Sequence, residues 1–422
     1  MQQVTPVKNS EREMLMDVLR GFAILGIFIA NLRFMSLYNE GSTAIGYHFA
    51  IDGKMSFLHA MFVEGKFYSI FSLLFGWGIA MQFQRIKDKG IESTTLVKRR
   101  LRGMLLLGFM HLIILWTGDI VAFYAMLGFL LLFFRNMNER KLLIWGTILV
   151  LSPIVIYFFK MNFLWLNAPA GILFETNGWI DEHWSHLTQN GPGGFGPQQT
   201  ATWIDIWKLN IAGVFGRYGY LFFVSRIPKV LGMFLVGYWL GKNSNYKKVL
   251  ANNGLLKKIA LAGFIIGLPM NYMLAQYMKN EGDYFQLKMN GFYQTVVYAL
   301  GVAPLALAYA ASIALVYKAK LGRQALLILQ PVGKMAFSNY IMHSLIGVLT
   351  FYGVGLGMGG QFGPTAWTIF ALVIFSFQII FSSIWLSYFN YGPLEWFWRS
   401  MTYKKWQPMR KGSELPAESA LG

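Results

Sequence analysis

Residues 99–132 read "RRLRGMLLLGFMHLIILWTGDIVAFYAMLGFLLL". Three arginines lead into two apolar runs, each close to the roughly 17–25 residues that a helix needs to cross the hydrocarbon of a bilayer. Only "WTGD" separates them. Trp116 suits a membrane interface and Gly118 permits a sharp turn, so the stretch predicts a pair of membrane helices, about 100–117 and 119–135.

The rest of the chain repeats this pattern. The protein has 422 residues, of which 55% are hydrophobic, 17% aromatic and only 13% charged, and its mean hydropathy is +0.44, well above that of a soluble domain. About ten segments have membrane-crossing length: 15–37, 66–85, 100–117, 119–135, 141–160, 219–241, 258–278, 292–317, 333–354 and 366–388. The expected fold is therefore all-α, a polytopic membrane helix bundle. One transmembrane domain spans 1–398, with a long loop at 161–218, and a basic tail follows at 399–422. "MQQVTPVKNSEREMLMDVLRG" carries acids beside bases and leads to no small-residue cleavage site, so the first apolar run is expected to be retained.

The formal charge of +18 would point to nucleic acid in a soluble protein. Here the basic residues fall between apolar segments, in "RIKDKGIESTTLVKRRLR", "RNMNERK", "KNSNYKKVLANNGLLKK" and "KAKLGRQ" and in the tail, so they read as topology. The alternate connections are poor in Lys and Arg. With both termini cytoplasmic, about 26 of the 37 basic residues lie inside. Cysteine is absent, which excludes disulfides and thiolate chemistry, and no histidine spacing matches a metal motif. No cofactor motif is present either; "GVGLGMGG" lacks the Lys-Ser/Thr of a phosphate loop.

Function is then sought in the ionisable and amide side chains at membrane depth, which are expensive there unless paired or hydrated. Asp17 and Arg20 stand three apart on one helix face, able to pair or to offer Arg20 to an anion. Asn31 and Arg33 lie at the opposite end of that helix. Glu64 and Lys66 flank Gly65 at the start of a Phe-rich span, where a lysine can snorkel to the interface. His111 falls near the midplane and Asp119 at the following turn, with Tyr124 beyond it. An imidazole oriented by a carboxylate would serve as a proton relay or general base, although eight residues of ideal helix rotate the two about 80° apart. Ser338, Asn339 and His343 form a second polar group. His48, His183 and His186 fall in outer loops.

"LMDVLRGFAILGIFIANL", "GKFYSIFSLLFGWGIAM", the 99–132 stretch, "VGKMAFSNYIMHSLIG" and "YGPLEWFWRSMTY" resemble the YeiB-like family of bacterial inner-membrane proteins, which carry the domain of unknown function 418. "DVLRG" followed by an apolar run ending in Asn31 is also similar to the first span of the heparan-glucosaminide acetyltransferase group. That resemblance implies transfer of an acyl group from cytoplasmic acyl-CoA, as co-substrate, to a glycan or small-molecule acceptor outside, with Asn31 in the active site. The group's outer-loop histidine has only His48 as a counterpart here, at a different spacing. Acyl transfer would use His111 as base, Asp119 as its orienter, Asn31 as an oxyanion or acceptor contact, and Arg20, Arg99, Arg100 and Arg102 for the donor's phosphates. The competing reading is transport or sensing of a small solute, with His111 and Asp119 as proton-coupled groups. Both readings require these groups to share one water-accessible chamber. The Trp-rich, basic "GPLEWFWRSMTYKKWQPMRK" is expected to lie on the inner leaflet among membrane lipids, and the residues after it to be disordered.

Overall fold

The computed structural model describes residues 14–38, 47–88, 94–185 and 200–412. His186, the Gly/Pro-rich stretch 190–199 and the final residues 413–422 lie outside the described residues. The helices are α1 (Met14–Met35), α2 (Asp52–Phe62), α3 (Lys66–Asp88), α4 (Thr95–Ile114), α5 (Val121–Leu131), α6 (Glu139–Asn162), α7 (Ala168–Ile180), α8 (Trp203–Phe223) and α9 (Arg226–Gly241). They continue with α10 (Asn245–Ala251), α11 (Asn253–Tyr277), α12 (Glu281–Phe285), α13 (Met289–Lys318), α14 (Lys320–Leu326), α15 (Gln330–Lys334), α16 (Ala336–Phe351), α17 (Pro364–Tyr388) and α18 (Pro393–Tyr403). Among the described residues β structure is limited to two isolated bridges, Tyr47–Phe362 and Phe389–Arg410. The fold is an all-α, polytopic membrane bundle.

Five helices, α1, α6, α11, α13 and α17, are each long and apolar enough to cross a bilayer. A sixth span results if α8 and the segment Arg226–Ala251, bent by 70° at their junction, count as one. α5 with its 3₁₀ extension and α16 are shorter apolar helices. α17 leaves Ile369, Val373, Phe377, Ile380 and Ile384 exposed along its length. On a membrane helix such a face meets lipid, and the polar groups turn inward.

α1 is enclosed by α3, α15, α16 and α17, while α3 packs on α9 and α11 on α13. Helix starts follow local rules. The Asn138 side chain accepts the Lys141 amide at the start of α6, and Asn252 does the same for Leu255 at α11. Asp52 reaches across from α2 to accept the Thr365 amide at the first turn of α17, so a carboxylate meets the positive end of that helix.

Three expectations change. The described residues of the stretch 161–218 are not simply a loop: they contain α7 and most of α8, and α8 opens with a capping box in which Thr202 and Asp205 bond reciprocally. The span drawn at 219–241 is broken, because Ser225 takes a left-handed backbone (φ 52°) and redirects the chain between α8 and α9. The freed end of α8 is served by Lys160 of α6, which is 7% exposed and donates to the Phe222 and Phe223 carbonyls at 3.0 and 2.9 Å. A buried ammonium thus supplies what water cannot at a broken helix in an apolar setting. The boundary placed at residue 398 falls inside α18. α18 folds back on the bundle, and the strand-like Phe389–Arg410 bridge ties the chain after it.

Candidate functional site

A partly open cavity of about 700 Å³ lies where the end of α1 carrying Asn31 meets the α2–α3 turn, the Trp116–Ile120 turn, and α8 and α9. Its wall mixes Phe34, Phe67, Phe123 and Trp116 with Asn31, Glu64, Tyr68, Arg217, Tyr220 and Arg226. The volume suits a ligand of drug-like size.

Of the ionisable and amide residues singled out in the sequence, Asn31, Arg33 and Glu64 line this cavity. Gly65, between Glu64 and Lys66, has φ +82°, and a Cβ there would also meet the Tyr298 hydroxyl at 2.5 Å, so glycine is demanded at this turn. Lys66 does not snorkel outward. It has no exposed surface, and its ammonium donates to the Ala60 carbonyl at 2.8 Å, in the last turn of α2.

His111 and Asp119 do meet. α4 ends at Ile114, and the non-helical residues before α5 fold Asp119 back toward His111, which removes the rotation an uninterrupted helix would impose. Nδ1 of His111 lies 2.8 Å from Asp119 Oδ2, and Nε2 lies 2.8 Å from the Ser344 hydroxyl on α16. An ionised Asp119 accepts from Nδ1–H, which leaves Nε2 to accept the Ser344 proton. The other carboxylate oxygen takes the Ala122 amide at 2.6 Å. This Asp119–His111–Ser344 chain is buried, each member being at most 3% exposed. It stands behind the cavity wall, whose nearest residues in sequence, Gly118 and Ile120, line the cavity while His111 and Asp119 do not. The shared chamber expected from the sequence therefore receives Asn31 but not the His–Asp pair. Gly118 is needed for packing as well: a Cβ at this position would lie 2.0 Å from the Trp116 ring.

The remaining candidates sit elsewhere. Tyr124 is fully buried and bonds the Ser72 hydroxyl at 2.6 Å and the Tyr68 carbonyl at 2.9 Å. His343 stacks on Phe28 with ring centroids 3.8 Å apart and meets Gln378 at 2.6 Å. Asn339 bonds Ser382 at 3.0 Å, so these two residues form a seam between α16 and α17, while Ser338 of the same group faces Glu395 on α18.

At the opposite, basic end, Arg20 is paired with Asp17 at 2.8 Å. Arg100 bonds Gln82 at 3.1 Å and lies 4.6 Å from the centre of the Trp398 ring, while Arg99 bonds the Thr402 carbonyl at 3.2 Å. Arg102 is exposed on α4. These arginines do not line the cavity. Two of them are engaged by α18, which Glu395 also holds: its carboxylate accepts the Phe337 and Ser338 amides, at 2.7 and 3.1 Å, at the start of α16. His48 packs against Tyr38, with ring centroids 5.6 Å apart. Among the described residues no cluster of metal-ligating side chains occurs.

Sequence reasoning missed Arg217, Arg226 and Ser344. Two arginines inside the apolar "AGVFGRYGYLFFVSRIPKV" were the available signal for the first pair. A serine in a membrane helix carries none.

The fold and its cavity define a polytopic helical membrane protein with a polar chamber among its helices. The chain belongs to the family described as "Protein of unknown function (DUF418)", whose model matches residues 240–405. It is 30% identical over 433 residues to the uncharacterized protein YxaH of Bacillus subtilis (strain 168), covering 98% of this chain and 100% of that one. It is also 26% identical over 416 residues to the uncharacterized protein YeiB of Escherichia coli (strain K12), covering 93% and 97% respectively. No solved structure matches.

Proposed function

We propose that this protein sits in the bacterial cytoplasmic membrane with both termini inside, and that its chamber admits a small, partly apolar solute from the outer side, as the binding site of a carrier or sensor. The observation that carries this reading is the chamber itself, which joins an aromatic wall to Asn31, Glu64 and three arginines. Such a mix binds and orients a ligand of moderate size. Ala30 lines the chamber, and Ala30→Trp would fill part of it. Native mass spectrometry of protein isolated in nanodiscs should find a bound small molecule on the wild type that the variant lacks. Identical spectra would overturn the reading.

A second reading, acyl transfer, is favoured by Asn31. It lies on the chamber wall at the position where the acetyltransferase resemblance implies an active-site asparagine. The chamber would then hold the acceptor; His111, oriented by Asp119 but behind the chamber wall, would take its proton only once the Trp116–Ile120 turn opens between them, as the acceptor attacks the acyl carbon and the CoA thiolate leaves. A donor arriving at the basic end must displace α18 from Arg99 and Arg100. Incubating inverted vesicles with radiolabelled acetyl-CoA tests this directly. Label in envelope glycans that disappears with His111→Ala supports transfer, and no incorporation excludes it for that donor.

A further inference from the structure

Two guanidinium groups face the chamber from either side of the break between α8 and α9. Arg226 is fixed: its Nη1 donates to the Tyr298 hydroxyl at 3.0 Å, and its carbon lies 4.4 Å from the centre of the Tyr68 ring. The two tyrosine hydroxyls meet at 2.9 Å, which locks the platform. Arg217, one element earlier, is held differently. Among the described residues its buried Nε has no hydrogen-bond partner.

The two arginines line the same chamber. Among the described residues neither forms a salt bridge within 4.0 Å. Neither Glu64 nor Asp119 pairs with them within that distance, and Asp119 is already committed to His111 and the Ala122 amide. Arg33 and Lys279 add two more cations to the wall, against Glu64 as the one carboxylate among the lining residues. Like charges gathered in a chamber walled by low-dielectric helices are unfavourable unless an anion joins them. A planar guanidinium preset by a ring and a hydroxyl is suited to a carboxylate or phosphate.

We infer that the chamber selects an amphiphile with a single anionic head group, the head lying between Arg217 and Arg226 and the apolar part against Phe34, Phe67 and Phe123. The inference rests on the chamber reading above and names the chemistry of its ligand. A cavity of about 700 Å³ is far larger than a bare phosphate needs, and its aromatic wall accounts for the remaining space.

The test uses the full chain in nanodiscs of zwitterionic lipid, with calorimetric titration of hexyl phosphate, hexanoate, neutral hexyl glucoside and inorganic phosphate. One or both hexyl anions should bind at least about 10-fold more tightly than the glucoside and than inorganic phosphate, and the stronger of the two assigns the head group. Arg217→Gln should weaken anion binding by about 10- to 100-fold and leave the glucoside unaffected. Arg217→Lys, which keeps the charge and so the fold if the glutamine variant fails to assemble, should still lose part of the affinity because its ammonium lacks the planar fork. Equal binding of glucoside and anions, or anion affinity unchanged in Arg217→Gln and Arg226→Gln, overturns the inference. If Ala30→Trp then still abolishes glucoside binding, the chamber reading survives alone. Absence of binding by every probe to the wild type, with Ala30→Trp indistinguishable from it, removes both.

Discussion

Replacing Lys160 with methionine should unfasten the break on which the chamber depends. The ammonium donates to the Phe222 and Phe223 carbonyls at 3.0 and 2.9 Å, and its nitrogen lies 5.4 Å from the centre of the Phe223 ring. Phe222 also accepts the Ser225 amide at 3.1 Å, so its carbonyl stays served, whereas the described hydrogen bonds give Phe223 no other donor. A hydrogen bond to a charged group contributes about 1.5–3 kcal/mol, and an orphaned buried carbonyl costs about 1–3 kcal/mol. Methionine fills a similar volume without the desolvation of a cation, which returns part of this. The balance is a local loss of about 2–4 kcal/mol. At 1.4 kcal/mol per factor of ten, amide hydrogen exchange in peptides spanning 224–231 should accelerate by about 30- to 1,000-fold, with α11 and α13 unchanged. Lys160→Arg should recover much of the protection. An acceleration below about threefold in Lys160→Met would refute the argument that this cation holds the end of α8.

Glu395→Ala removes the acceptor for two backbone amides at the start of α16 and should release α18. Limited proteolysis should then cut near Tyr403 at least about tenfold faster, while an unchanged cleavage rate would show that Arg100 and Trp398 suffice. Burial works to raise the Asp52 carboxyl, but hydrogen bonds from Thr365 and the Phe49 amide outweigh it and hold the group below its ordinary value of 3.8. Its contribution is therefore complete above pH 3.8 and disappears as the pH falls below that value through the lowered one. Asp52→Asn should flatten the thermal-stability profile on the acid side, and a profile parallel to the wild type would contradict the assignment. Asp119→Asn removes the charged partner of a buried imidazole and should destabilise the bundle by about 2–4 kcal/mol, measured by thermal unfolding in detergent; a change below about 0.5 kcal/mol would show the pair to be dispensable.

The long helices are legible because long apolar runs dominate the chain. α1, α6, α11, α13 and α17 lie within a few residues of segments drawn from hydropathy alone. The failure at 219–241 has a physical cause: the break rests on a left-handed Ser225, and serine carries neither the proline nor the glycine that marks such a position. α8 was overlooked in the long connection although "TWID" at 202–205 has the spacing of the capping box that starts it. At the candidate site, polarity at membrane depth singles out Asn31, Glu64, His111 and Asp119, of which the first two line the cavity and the last two bond each other. It could not show which partners they have. Whether a side chain lines a cavity or stands one residue behind its wall depends on packing between helices far apart in sequence, as Gly118 and Asp119 demonstrate.

The buried Asp119–His111–Ser344 chain also bears on biogenesis. His111 and Ser344 are 233 residues apart, and at roughly 5–20 residues per second a ribosome needs on the order of ten to fifty seconds to make the intervening chain. Through that interval the newly inserted α4–α5 hairpin holds an imidazole whose second nitrogen still lacks its eventual hydroxyl. Water, a lipid head group or an insertion factor must serve it meanwhile, so the late third of the polypeptide completes a contact that the early third has to keep open.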